Sequence, residues 1–294
     1  MAEARAAGAI YDLGYQSYSG ARYGRFYAIR TLIHYSFATA FGIGRADKAK
    51  SMPTLIVALV YLPALVQVGV ASIAGPQALI HYSVFLEYSV ALIALFAASQ
   101  SPELIVADKQ QGVLSLYLSR PFKATDYAIA KLVALVLAML VITLGPQLVL
   151  FVGRIFVSAS PLAAFKTEWT KLFPILGGTL MASIFIAAIG MLLASFASRR
   201  GYATASVIAF FLLAPALVEM FRSVTTGAIK RYAILAHPVY LITGFANWLF
   251  DIEALRRSAI GRADLPGQYY LFVMLGVSIA CTAALLRRYR RLDA

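Results

Sequence analysis

Few residues in this chain are able to do chemistry, and one stretch groups acidic and basic side chains between apolar runs. Ser101–Lys131, SPELIVADKQQGVLSLYLSRPFKATDYAIAK, sets Glu103, Asp108, Lys109, Arg120, Lys123, Asp126 and Lys131 between two long apolar runs. Elsewhere Glu87 and Glu219 stand inside apolar runs, and Gln67 and Gln147 each come after a proline within one. His34, His81 and His237 are too widely separated to share a ligand spacing. The lone Cys281 can form no internal disulfide, and Cys-rich metal sites are excluded. The sequence holds no G-x-x-x-x-G-K-S/T loop, so the chain cannot cradle a nucleotide by itself; it also lacks H-E-x-x-H and G-x-S-x-G. No catalytic residue and no metal site is read from it. What remains is charge pairing and the lining of a polar path.

Carboxylates within apolar runs are costly, and they usually face a protein interior or a water-filled route. Glu219 lies near the end of its run with Arg222 three residues on, which reads as a local helical pair. Glu87 lies deeper. It reads either as a lining residue of a substrate or ion path, with Gln67 and Gln147 as weaker companions, or as a structural partner of a neighbouring helix.

The elements that must position these residues are membrane helices. The chain has 294 residues, is 61% hydrophobic and only 13% charged, and its mean hydropathy is +0.77. A water-soluble surface needs more charge than this. Six runs approach the ~20 residues needed to cross about 30 Å of hydrocarbon: 52–73, 79–99, 127–152, 172–196, 204–221 and 269–286. Pro63, Pro146 and Pro215 fall inside spans and are expected to kink them. Ser183, Ala187, Gly190, Ala194 and Ser198 form a small-residue stripe on the fourth, suited to close helix packing.

Outside the runs, the segment 24–41 reads as an interfacial helix with Phe26, Ile29, Ile33, Phe37 and Ala40 on one stripe. Arg30 falls on its apolar side and must snorkel. The net charge of +13 reflects Lys and Arg at the ends of apolar runs, a topology signal rather than a nucleic-acid footprint. Their distribution places both termini in the cytoplasm, and with them the insert 101–126. The long segment 222–267 then lies outside. It is broken at His237-Pro238 and reads as short helices on or in the outer leaflet. The expected architecture is all-α: residues 1–51 as a cytoplasmic segment with an interfacial helix, and 52–294 as a six-span unit with short extracellular helices between spans five and six.

On this frame the insert resembles the signature stretch of bacterial permeases of type 2 ABC exporters (the ABC-2 family). The matching residues are Asp108-Lys109, Gly112, Leu114, Leu116, Leu118, Arg120-Pro121 and Ala130-Lys131. The departures are Asp for the usual Glu, Lys for the usual Arg, and Ala before Lys131. His237-Pro238 and Trp248-Leu249-Phe250 are similar to the family's extracellular helices, and Arg287-Arg288-Tyr289-Arg290-Arg291 to its cytoplasmic tail.

The resemblance implies a membrane-spanning permease in a bacterial cell membrane, paired with a second copy or a paralogue. It implies two copies of a separate ATPase, which bind the ATP and Mg that this chain does not. A helix in 102–118 would dock in a groove of that ATPase, with Glu103, Asp108, Lys109, Gly112, Arg120 and Pro121 forming the coupling element and Leu104 and Ile105 bracing it. The aromatic, charge-poor composition points to amphipathic or apolar cargo. Two other functions fit the residues without the resemblance: an ion-driven secondary transporter working through Glu87, and a non-transporting membrane anchor for a cytoplasmic partner.

Overall fold

The structure, a computed structural model, describes residues 23–44, 47–113, 122–253 and 258–291, with side chains from 50 onward in the second stretch. All regular structure among them is helical. In chain order the helices are α1 (Arg25–Ala40), α2 (Asp47–Ala74), α3 (Tyr82–Gln110), α4 (Ala124–Val157), α5 (Pro161–Glu168), α6 (Leu172–Phe196), α7 (Arg200–Val224), α8 (Gly227–Ala233), α9 (Pro238–Leu249), α10 (Ala259–Ala263) and α11 (Gly267–Arg290). Six stretches are long and apolar enough to cross a membrane: Lys50–Ala74, Tyr82–Gln110, Ala124–Val157, Pro161–Phe196, Arg200–Val224 and Gly267–Arg290. The chain is a multi-pass membrane protein.

All six expected runs are helices, but two of them extend well past their apolar text. α3 does not stop near Ser99; it continues through the first ten residues of the charged insert to Gln110. Pro102 lies inside it and lacks the N–H that would reach back one turn. The helix survives because the next turn is clamped by packing: Leu104 and Ile105 are fully buried in the main core, and Val106 packs with Ala194 and Ala203. α4 has 34 residues, about 51 Å at 1.5 Å per residue, so it outreaches a ~30 Å hydrocarbon core. Gly75 supplies the left-handed turn after α2 (φ 91°), a conformation glycine adopts without steric cost.

The small-residue stripe of α6 is buried from Ser183 through Ala187 and Gly190 to Ala194, whereas Ser198 lies beyond the helix end and is exposed. Ser183 shares a hydrogen bond with Thr143 of α4 at 3.0 Å. A Cβ on Gly190 would fall 2.8 Å from the Ser101 hydroxyl of α3, so the bare glycine sets that close approach. At α1 the outcome is mixed. Ile29, Ile33, Phe37 and Ala40 join the core, while Phe26 is 80% exposed. The inward face is rotated to take in Leu32, Ser36 and Thr39 instead of Phe26.

Segment 222–253 divides at His237-Pro238 as its text suggests. α9 is far from superficial: Leu241 to Ala246 are buried, and Gly244 faces the Tyr270 ring of α11 so closely that a Cβ would lie 2.5 Å from it. By contrast α7 buries only Ala203, Val207 and Arg222. Leu212, Leu213, Leu217, Met220 and Val224 leave its other side apolar and exposed.

Candidate functional site at the basic end of the bundle

The ends of α3, α6 and α11 and the starts of α1, α4 and α7 meet at one end of the bundle, and here the charged insert is anchored. Asp108 accepts from the Tyr127 hydroxyl at 2.8 Å and pairs with Lys131 at 2.8 Å. Lys131 is only 1% exposed. Its ammonium also lies 5.4 Å from the Tyr127 ring centroid, a cation–π arrangement. One turn earlier Glu103 pairs with Arg200, the first residue of α7, at 2.8 Å. Lys109 donates to the Ser195 carbonyl at 2.6 Å, and Gln110 to the Ser198 carbonyl at 3.2 Å. Ser195 is in the last turn of α6, where carbonyls lack helical partners and the dipole favours a cation such as Lys109, and Ser198 lies just beyond it.

The remaining elements close around this cluster. Arg25 of α1 makes a two-pronged contact with Asp126, 2.6 and 2.7 Å, and Asp126 also accepts the Lys123 N–H at 3.1 Å, capping α4. The hydrogen bond from Arg25 to the Asp126 carboxylate, and the charge of that carboxylate, raise the Arg25 guanidinium above its ordinary range. Tyr289 of α11 is buried against Tyr127, ring centroids 5.6 Å apart, and Arg288 covers Phe196 at 4.5 Å. Beside them is a cavity of about 630 Å³ whose charged lining is entirely basic: Lys109, Arg287, Arg288 and Arg291.

The insert's expected site residues thus divide. Glu103, Asp108 and Lys109 come together, but each is engaged within the bundle. Gly112, with φ +66°, forms the turn that ends α3, next to the exposed Gln110 and Gln111. Leu114, Leu116, Leu118, Arg120 and Pro121 lie outside the described residues, as do residues 1–22. Sequence reasoning missed the receivers of these charges: Arg200, Ser195 and Tyr127. Only Lys131 was singled out, and then for its place in a motif. Arg200 was legible only as a topology signal, and a carbonyl acceptor such as that of Ser195 leaves no trace in residue type.

The expected path residues are not brought together. Gln147 is buried and donates to the Tyr82 carbonyl at 2.9 Å, tying α4 to the start of α3. Gln67 is half-buried on α2, with its amide oxygen unpartnered among the described residues. Glu87 is half-buried and has no hydrogen bond or ion pair among the described residues. Glu219 pairs with Arg222 at 2.6 Å, as its spacing suggests.

The end opposite the basic cluster is secured by two histidines. His81 Nδ1 accepts the Ser83 N–H at the start of α3, and His237 Nδ1 accepts the Tyr240 N–H at the start of α9. Both imidazoles are held below their ordinary range, His237 at about 4, chiefly by burial. Only the neutral ring offers the acceptor these caps need. His237 also stacks on Tyr240, ring centroids 3.7 Å apart.

Among the described residues no cluster of His, Cys, Asp and Glu could hold a metal. Neither a protein-family model nor a curated protein sequence matches this chain.

Proposed function

We propose that this chain is the membrane permease subunit of an ATP-driven exporter, in which the basic end of the bundle meets a separate ATPase. The observation that carries the reading is the continuity of α3 from the membrane into the charged insert. A helix fixed by Glu103–Arg200, Asp108–Lys131 and Lys109–Ser195 cannot tilt at its end without moving α7, α4 and α6. An ATPase pressing on the turn at Gln111-Gly112 would therefore act on three spans at once. The absence of a nucleotide loop in the chain gives such a lever a reason to need a partner, and the likeness of 108–131 to ABC-2 permeases names the kind.

In this reading both termini are cytoplasmic, the membrane is that of a bacterial cell, and a second copy or paralogue covers the exposed apolar side of α7. ATP and Mg are bound by the partner, and its closure shifts the paired bundles between two states. The cargo is amphipathic or apolar.

The decisive experiment is purification from native membranes after cross-linking from Gln111→Cys in a Cys281→Ser background. A stoichiometric cross-linked chain with a nucleotide-binding loop, and ATP-dependent export on reconstitution, is the expected result. A solitary chain with no such partner overturns the reading. A second reading, ion-driven transport, is favoured by one observation: Glu87 is half-buried without a hydrogen bond among the described residues. Proton-driven flux lost in Glu87→Gln, with no ATP requirement, would select it.

A further inference from the structure

The misplaced cation of the first helix has a place in the structure. Arg30, Ile33, His34 and Phe37 occupy positions i, i+3, i+4 and i+7 of α1 and so share one face. That face lines a lateral groove of about 670 Å³ whose other walls are Tyr61 of α2 and the stretch Leu137–Leu148 of α4. The groove is amphipathic along its length. Arg30 and His34 are both exposed, and Arg30 comes from the α1 half nearer the Arg25–Asp126 pair at the basic end; the rest of the lining is almost wholly apolar. No carboxylate lines it, and Arg30 has no ion-pair partner among the described residues.

Two features set its shape. The Tyr61 hydroxyl donates to the Val141 carbonyl at 2.6 Å, and the ring lies over the bare backbone of Gly145, where a Cβ would meet the hydroxyl oxygen. The glycine thus lets Tyr61 form a floor instead of a plug. Leu137 to Leu148 rises about 16 Å along α4, close to half of a ~30 Å hydrocarbon core. A second apolar hollow of about 400 Å³ continues past Gly145 and Leu148 to Phe156.

We infer that this groove is a binding site for an anionic phospholipid, its phosphate held by Arg30 and His34 and one acyl chain laid along α4. A zwitterionic lipid would fill the same groove but would gain less from an arginine beside which no carboxylate lines the groove. A helix from a second copy would match the apolar wall and leave Arg30 without an anion. The inference needs only that the basic end sits at headgroup level, so it does not depend on the transport reading.

The test is native mass spectrometry of the delipidated full-length protein in detergent. It would be titrated with phosphatidylglycerol and, separately, with phosphatidylcholine bearing the same chains. The wild type is expected to take up its first phosphatidylglycerol at several-fold lower concentration. Arg30→Gln should weaken that uptake about fivefold, the usual worth of one basic side chain beside an anionic surface, and leave phosphatidylcholine unchanged. Leu148→Trp, which fills the junction of the two hollows, should reduce both lipids. Equal uptake of the two lipids by the wild type, or phosphatidylglycerol uptake unchanged in Arg30→Gln, would overturn the site. So would a Leu148→Trp protein that loses self-association but keeps its lipid, because the groove would then belong to a second copy.

Discussion

The buried ion pair that joins α3 to α4 gives the sharpest test of how the basic end is held. Lys131 and Asp108 are 2.8 Å apart, with side-chain exposures of 2% and 13%. At an effective dielectric of about 20, charges at that distance attract by about 6 kcal/mol. Taking each ion from water costs several kcal/mol, so the net worth of the intact pair is small. Removing one partner is a different matter, because the other charge stays buried. Lys131→Met is expected to cost about 3–5 kcal/mol. Tyr127→Phe, which deletes the 2.8 Å hydrogen bond to Asp108 and the longer one to the Leu104 carbonyl and keeps the ring near Lys131, should cost about 1.5–3 kcal/mol. The double change Asp108→Leu with Lys131→Met removes both charges and should recover most of the loss of either single variant. The assay is denaturant-titrated unfolding in detergent, arranged as a double-mutant cycle. Additive single losses, or a Lys131→Met protein within about 0.5 kcal/mol of the wild type, would refute the claim that this pair is desolvated and coupled.

Other expectations follow from the same geometry. Arg25→Gln should raise deuterium uptake across residues 25–33 with little change in global stability, because Arg25 is exposed and its contact with Asp126 ties the first turn of α1 to the start of α4, while Ile29, Ile33, Phe37 and Ala40 keep the helix on the core; unchanged uptake would remove that role. Gly244→Ala should destabilise by about 1–3 kcal/mol, the usual cost of overpacking, since its Cβ would sit 2.5 Å from the Tyr270 ring; Tyr270→Leu should restore part of it in an unfolding titration. His237 is neutral when folded, with its pKa lowered to about 4 mainly by burial, whereas an unfolded histidine titrates near 6.5. The unfolded state therefore binds the extra proton in that window, so stability is full above about pH 6.5 and declines toward pH 4. His237→Gln should flatten this limb, and an unaltered pH profile would count against it.

Much of this fold was legible because a membrane makes composition speak. Each span announced itself as an apolar run, the α6 stripe as small residues at helical spacing, and the His237-Pro238 break as punctuation. The failures have a common cause. Apolar text marks where a helix meets lipid or core, but it does not say where the helix ends. α3 continues to Gln110 because Leu104–Ala107 are buried among α4, α6 and α7, a tertiary fact hidden behind Pro102 and a run of charges. Phe26 belongs to the α1 stripe by period yet stays exposed, since the neighbours of α1 decide which face turns inward. The site was legible as a list of charges, and its pairing was not: Glu103 to Arg200 spans 97 residues, and no local spacing encodes such a contact.

That pairing changes what the charged insert can be. If Glu103, Asp108 and Lys109 faced a partner directly, each would have to give up a bond inside the bundle before making one outside, and for Asp108 this would strand Lys131. The cheaper arrangement keeps all three bonds intact and offers a partner other surfaces: the exposed Gln111 at the end of α3 and the basic rim of Arg287, Arg288 and Arg291. The first is a place to push and the second a place to attract an acidic surface, which steers encounter more than it adds affinity. Under the proposed function, a charge reversal at Asp108 would therefore uncouple the machine by loosening α3 from α4. Reversal at Arg291 would instead slow assembly in a salt-dependent way and leave coupling intact once the complex had formed. Measuring partner association against ATP-driven export in the two variants separates these outcomes. Export lost in Arg291→Glu at saturating partner would show that the rim itself transmits the stroke, against the reading of α3 as the lever.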